Sequence, residues 1–137
     1  MTKKNKTIID TYPTLYDVDL VVANKYTTLK QLDKLYKYAS GNSITEDIKE
    51  GVASTSICIR KSDNKYCILV CWNDDLPRYK VDDKKKYMID TIAHESCHVA
   101  LDIYDYIQED AKATCSEPFS YLVGWIAGCI YTTISKK

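Results

Sequence analysis

An α+β fold with a small mixed sheet is predicted by three features of this 137-residue chain. First, two runs rich in β-branched residues, 52–60 and 66–72, flank Lys61-Ser62-Asp63-Asn64-Lys65, and Ser-Asp-Asn is good turn chemistry, so they form a hairpin. Second, residues 15–23 (LYDVDLVVA) read as a further strand. Third, two long helical stretches follow the hairpin in succession instead of alternating with strands. The length suits one domain spanning 1–137, with residues 1–10 as a flexible polar tail.

Each element has its own justification. Thr27 or Thr28 caps a helix running to about residue 38, with Leu29, Leu32, Leu35 and Tyr36 on one face and Gly41 placed to end it. Residues 42–51 are polar and read as loop. After the hairpin, Asn73-Asp74-Asp75-Leu76-Pro77 breaks the strand. Asp82 or Asp83 then caps a helix to about residue 107, whose apolar face uses Met88, Ile92, Cys97, Ala100, Leu101 and Tyr104. A polar connection from Gln108 leads to a final helix over about 116–133.

Composition removes several classes of function. Nineteen Lys and Arg balance nineteen Asp and Glu, so the chain lacks the basic face that nucleic acid or an anionic membrane surface requires. Lys3-Lys4 and Lys84-Lys85-Lys86 are short and read as solvated. The stretch 119–134 falls short of the ~20 mainly apolar residues of a membrane span and reads as a buried core helix. No apolar segment follows the N-terminal lysines, so a cytoplasmic location is expected. The six cysteines, at 58, 67, 71, 97, 115 and 129, form no C-x-x-C pair and read as reduced and mostly buried. A Cys58–Cys67 bridge across the hairpin is geometrically open but not expected.

The chemistry concentrates in His94-Glu95-Ser96-Cys97-His98, which contains both histidines of the chain. Imidazoles four residues apart lie on one face of a helix, one turn above the other, and can reach a single cation. Glu95 then sits beside that cation, where it can deprotonate a bound water. This is the HExxH arrangement of zinc peptidases. A catalytic zinc keeps three protein ligands and one open position. With no histidine left, the third must be a carboxylate or a thiolate. Glu117 is the choice: eighteen residues separate it from His98, enough to finish one helix, turn, and begin another. Asp102 would put three ligands almost in line along one helix, so Asp102 and Asp90 suit the orienting of the imidazoles instead. Cys115 is a softer rival, and Glu109 and Asp110 read as solvated.

His94, Glu95, His98 and Glu117 at this spacing resemble the gluzincin group of metallopeptidases. The lead-in Ile89-Asp90-Thr91-Ile92-Ala93-His94 is similar to thermolysin-type enzymes, and HESCHVALDI and EPFSYLVGWI resemble small zincin-like proteins of tailed phages. The resemblance implies a compact zincin-like domain whose hairpin supplies the edge strand packed on the HExxH helix, followed by the C-terminal helix. It also implies one zinc ion, peptide or protein substrates, Glu95 as general base and Tyr121 as oxyanion donor. Ser116 and Tyr121 stand where the gluzincin pattern often has Asn and Asp, and Pro118 moves Glu117 to the cap or first turn of its helix. The phage likeness implies host cytoplasm, with virion association and phage structural proteins as partners. It also raises the alternative of a non-catalytic structural or assembly protein that retains a zincin fold.

Overall fold

The apolar run ending at Ala23 is the centre of the molecule because it is covered on both faces. The computed structural model describes residues 5–73, 81–108 and 116–136. Five strands, β1 (Ile9–Pro13), β2 (Asp19–Ala23), β3 (Tyr36–Tyr38), β4 (Ala53–Arg60) and β5 (Tyr66–Trp72), form one sheet in the order β1-β2-β5-β4-β3. The β2–β5 pair is parallel and the others antiparallel, so the fold is α+β with a mixed sheet. Central strands β2 and β5 are buried almost throughout, and their near-continuous apolar runs follow from having both faces covered.

Alternation along the strands separates two cores. Leu20, Val22, Ile68 and Val70 face helices α2 (Val81–Tyr106) and α3 (Glu117–Ile134). Val21, Ala23, Cys67, Leu69 and Cys71 face helix α1 (Leu29–Leu35) and a 3-10 turn at Glu46–Lys49. On the first face, α2 lies over β4 and β5, while α3 lies over β1 and β2 and packs along α2. No helix among the described residues is long and apolar enough to cross a membrane.

Several expected elements differ. Residues 14–18 are not strand: the Thr14 hydroxyl donates to the Val18 carbonyl at 2.6 Å and accepts from the Tyr16 amide, a local turn that leaves Leu15 99% exposed. Residues 1–10, expected as a flexible tail, overlap the described β1, which begins at Ile9 and pairs with β2, and Asn24 binds the backbone of Lys6 and Ile8. Thr28 does cap α1, in a reciprocal box with Gln31, but the helix stops at Leu35 rather than near 38. Tyr36 and Tyr38 pair instead with Arg60 and Cys58, and burial of the Tyr36 ring outweighs helical periodicity. Gly41 serves a turn after β3, at φ +94°, where its amide donates to the Tyr38 carbonyl.

The hairpin, α2 and α3 lie close to their expected bounds. Asn64 takes the left-handed conformation in the hairpin turn, φ 59°. α2 starts at Val81, ahead of Asp82 and Asp83, so neither caps it. Its buried face runs through Ile92, Ser96, Val99, Ala100, Ile103 and Tyr104. Cys97 and Leu101 are exposed, because helical spacing groups them with His94 and His98. The five described cysteines, 58, 67, 71, 97 and 129, are free thiols, although Cys58 and Cys67 oppose each other across β4 and β5. Cys115 lies outside the described residues, as do Glu109 and Asp110.

Candidate metal and hydrolytic site

Helical spacing within α2 brings the two histidines together. Their Nε2 atoms stand 3.0 Å apart, with the rings edge to face. Two nitrogens bound to one tetrahedral zinc at 2.0–2.1 Å would be separated by about 3.3 Å. The imidazole pair therefore fits two positions of such an ion with only a small adjustment.

Glu95 follows His94 but projects toward the sheet, where it is buried to 6% exposure. The Thr55 hydroxyl, on β4, donates to Glu95 Oε2 at 2.5 Å. A buried carboxylate needs such a partner, and this bond between a helix and a strand fixes the side chain's direction. Thr55 was not singled out by sequence. The contact joins residues 40 apart, and the only available signal was strand alternation, which puts Thr55 on the same face as the core residue Ile57.

Two adjoining hollows share Glu95. One, of about 400 Å³, is bounded by Gly51, Ala53, Tyr87, Asp90 and His94. The other, of about 370 Å³, is bounded by Ser54, Thr55, His98 and Asp102. Asp90 and Asp102 thus sit at the two ends of the cleft, one beside each histidine. Burial pushes the Asp102 carboxyl up from its usual range; the nearby His98 opposes that shift and Asp105 adds to it.

The cleft's far wall is a half-open strand edge. β3 covers β4 only over Cys58–Arg60, and the Ala39 amide continues to the Ile57 carbonyl. On the other side, Asn73 and Lys65 bond Val52 and Arg60, so the even-numbered backbone groups of β4 face β5. The amides and carbonyls of Ala53 and Thr55 consequently point away from β5, past the end of β3. The hairpin supplies an edge beside the motif helix, though only along the first half of β4.

Glu117 and Tyr121 are not brought to this cleft. Glu117 is the first residue of α3, after the Ser116 cap and before Pro118, as the proline implied, and it is exposed. Because α3 sits over β1 and β2, α2 stands between it and the β4 side where Glu95 and His98 lie. Tyr121 is 75% exposed and lines a different hollow, against Pro13, Leu15 and Tyr16. Among the described residues no three His, Cys, Asp or Glu side chains form a group that would hold a metal. Comparison of the chain with family models, curated proteins and solved structures gives no match in any of the three.

Proposed function

We propose that the cleft between α2 and β4 is a zinc-dependent centre for hydrolysing peptide bonds, with His94 and His98 as ligands and Glu95 as general base. The observation that carries this reading is the convergence of two Nε2 atoms at 3.0 Å beside a buried carboxylate held by Thr55. A zinc ion bound there would polarise a carbonyl and acidify a water. Glu95, with Oε2 engaged by Thr55, would take the proton of that water on its other oxygen and return it to the leaving amine. The outward amides and carbonyls of Ala53 and Thr55 suit an extended peptide laid antiparallel or parallel along β4. Asp90 and Asp102 would orient the two imidazoles.

Two carboxylates are candidates for the third donor. Glu117 would have to approach from the opposite flank of α2, whereas Asp102 already borders the same hollow as His98 and Glu95. Zinc content by elemental analysis of wild type, His94→Ala, Glu117→Gln and Asp102→Asn, followed by peptide cleavage with wild type and Glu95→Gln, tests each part. One zinc per chain, lost with His94→Ala, and cleavage lost with Glu95→Gln are the expected results. Absence of zinc binding, or cleavage indifferent to Glu95→Gln, refutes the reading.

A second reading is a non-catalytic zincin-fold assembly protein, for example a virion component. It is favoured by the outer face of α3, which is exposed and carries no charge between Pro118 and Ser135. Stoichiometric incorporation into a particle, unaffected by Glu95→Gln, would support it over the enzyme.

A further inference from the structure

The charge of the whole chain is balanced, nineteen basic against nineteen acidic side chains, yet the cleft beside α2 is not. Its hollows are bordered by Asp90, Glu95 and Asp102 and, among the described residues, by no lysine or arginine. Lys84, Lys85 and Lys86 lie two turns or more before His94 and border neither hollow. Asp105, one turn beyond Asp102, adds its charge to that end. Asp90 and Asp102 form no ion pair with any described residue. A concave surface of one sign concentrates ligands of the opposite sign.

The open edge of β4 sets where those opposite charges fall. A peptide added along the outward groups of Ala53 and Thr55 places one of its residues beside each. Side-by-side residues on neighbouring strands share a face of the sheet. Thr55 faces α2, where its hydroxyl meets Glu95, and Ala53 borders the hollow of His94 and Asp90. The two peptide residues beside them therefore point to the α2 side, and the residue between them points to the other face. Asp90 lies at the Ala53 end of the cleft and Asp102 at the Thr55 end. Ala53 and Thr55 are about 7 Å apart along β4, whereas Asp90 and Asp102 are about 18 Å apart along α2. Each peptide side chain must therefore reach about 6 Å outward, the span of an extended lysine or arginine stem. We propose that the substrate is an extended segment with basic side chains two residues apart, one meeting Asp90 and the other Asp102; this rests on the reading of the cleft as a peptide-cleaving centre. The amide bond cut adjoins the residue between them, the oxygen of water bonding to the carbonyl carbon and its proton passing through Glu95 to the leaving nitrogen. A carboxylate has two oxygens, so one that orients an imidazole still accepts from a substrate cation.

Fluorescence anisotropy on the metal-free full chain at low ionic strength tests this with three labelled peptides: Ala-Ala-Lys-Ala-Lys-Ala-Ala, Ala-Ala-Lys-Lys-Ala-Ala-Ala and Ala-Ala-Glu-Ala-Glu-Ala-Ala. The alternating lysine peptide should bind about tenfold or more tighter than the glutamate peptide, and about threefold tighter than the peptide with adjacent lysines. Asp90→Asn and Asp102→Asn should each weaken the alternating peptide by about three- to fivefold, and unchanged far-ultraviolet dichroism checks that each variant folds. On zinc-loaded protein, mass spectrometry should place cleavage on one side of the alanine between the lysines. No binding of the alternating lysine peptide up to about 1 mM, equal binding of the lysine and glutamate peptides, equal binding of the alternating and adjacent peptides, or a preference untouched by both aspartate substitutions overturns the proposal. Binding is read without zinc and without turnover, so cleavage indifferent to Glu95→Gln refutes the hydrolytic reading alone.

Discussion

Replacing Thr55 by valine removes one hydroxyl from the cleft while keeping a β-branched side chain on β4. In the folded protein that hydroxyl donates to the Glu95 carboxylate at 2.5 Å, and Glu95 is only 6% exposed. A hydrogen bond to a charged group contributes about 1.5–3 kcal/mol. Glu95 also borders two solvent-connected hollows, so water can replace part of the lost donor, and the lower end, near 1.5 kcal/mol, is expected. For a chain of this size that corresponds to a fall in Tm of about 5 °C. Urea unfolding followed by circular dichroism, on metal-free protein, measures it through the midpoint at constant m-value. Thr55→Ser retains the donor and should lose less than about 1 kcal/mol. In a Glu95→Gln background the cost of Thr55→Val should drop by about 1 kcal/mol, since the acceptor is no longer charged. A cost below about 0.5 kcal/mol, or the same cost in both backgrounds, would mean that Thr55 does not hold Glu95.

Other consequences can be measured separately. Burial alone would raise the Asp10 carboxyl, but hydrogen bonds from Lys136 and Thr133 outweigh it and hold the group below its usual range. Asp10 therefore contributes stability above its unfolded pKa of about 4, and that contribution is lost as pH falls through the lower folded value. The stability gap between wild type and Asp10→Asn should be widest near neutrality and close as pH falls through the lowered folded value; a pH-independent gap contradicts this. Burial pushes the Cys58 and Cys71 thiols up to about 12 and Cys67 up to about 11. With Cys97→Ser removing an exposed thiol, these three should react with a thiol reagent only on unfolding, and rapid labelling of any of them in the native state would contradict their burial. Thr28→Ala removes the hydroxyl that accepts from the Gln31 amide, while the Gln31 side chain keeps its bond to the backbone amide at position 28, and should destabilise by about 1 kcal/mol in urea; a change under a few tenths would show that α1 is held by packing alone.

Local chemistry made much of the molecule legible. The Thr28 cap, the turn at Ser62-Asp63-Asn64 and the position of Pro118 each act within a few residues, so reading them requires no knowledge of the fold. His94 and His98 belong to the same class, because a helix alone sets their spacing. β1 and β3 were missed for the converse reason. Ile9–Pro13 and Tyr36–Tyr38 become strands only through partners at 19–23 and 58–60, and no local signal in a short segment reports a distant partner.

The amino-acid sequence by itself determined the paired imidazoles, the carboxylate beside them and the helix that carries all three, because covalent spacing and helix geometry are sufficient for that. Tertiary packing decided what surrounds them. It placed Thr55 on Glu95, left half of β4 open beside the cleft, and put α3, with Glu117 and Tyr121, over β1 and β2 on the other flank of α2. A carboxylate's distance along the chain does not state which side of a helix it will occupy. That depends on which sheet face and which neighbouring strands bury the apolar stripe of α3.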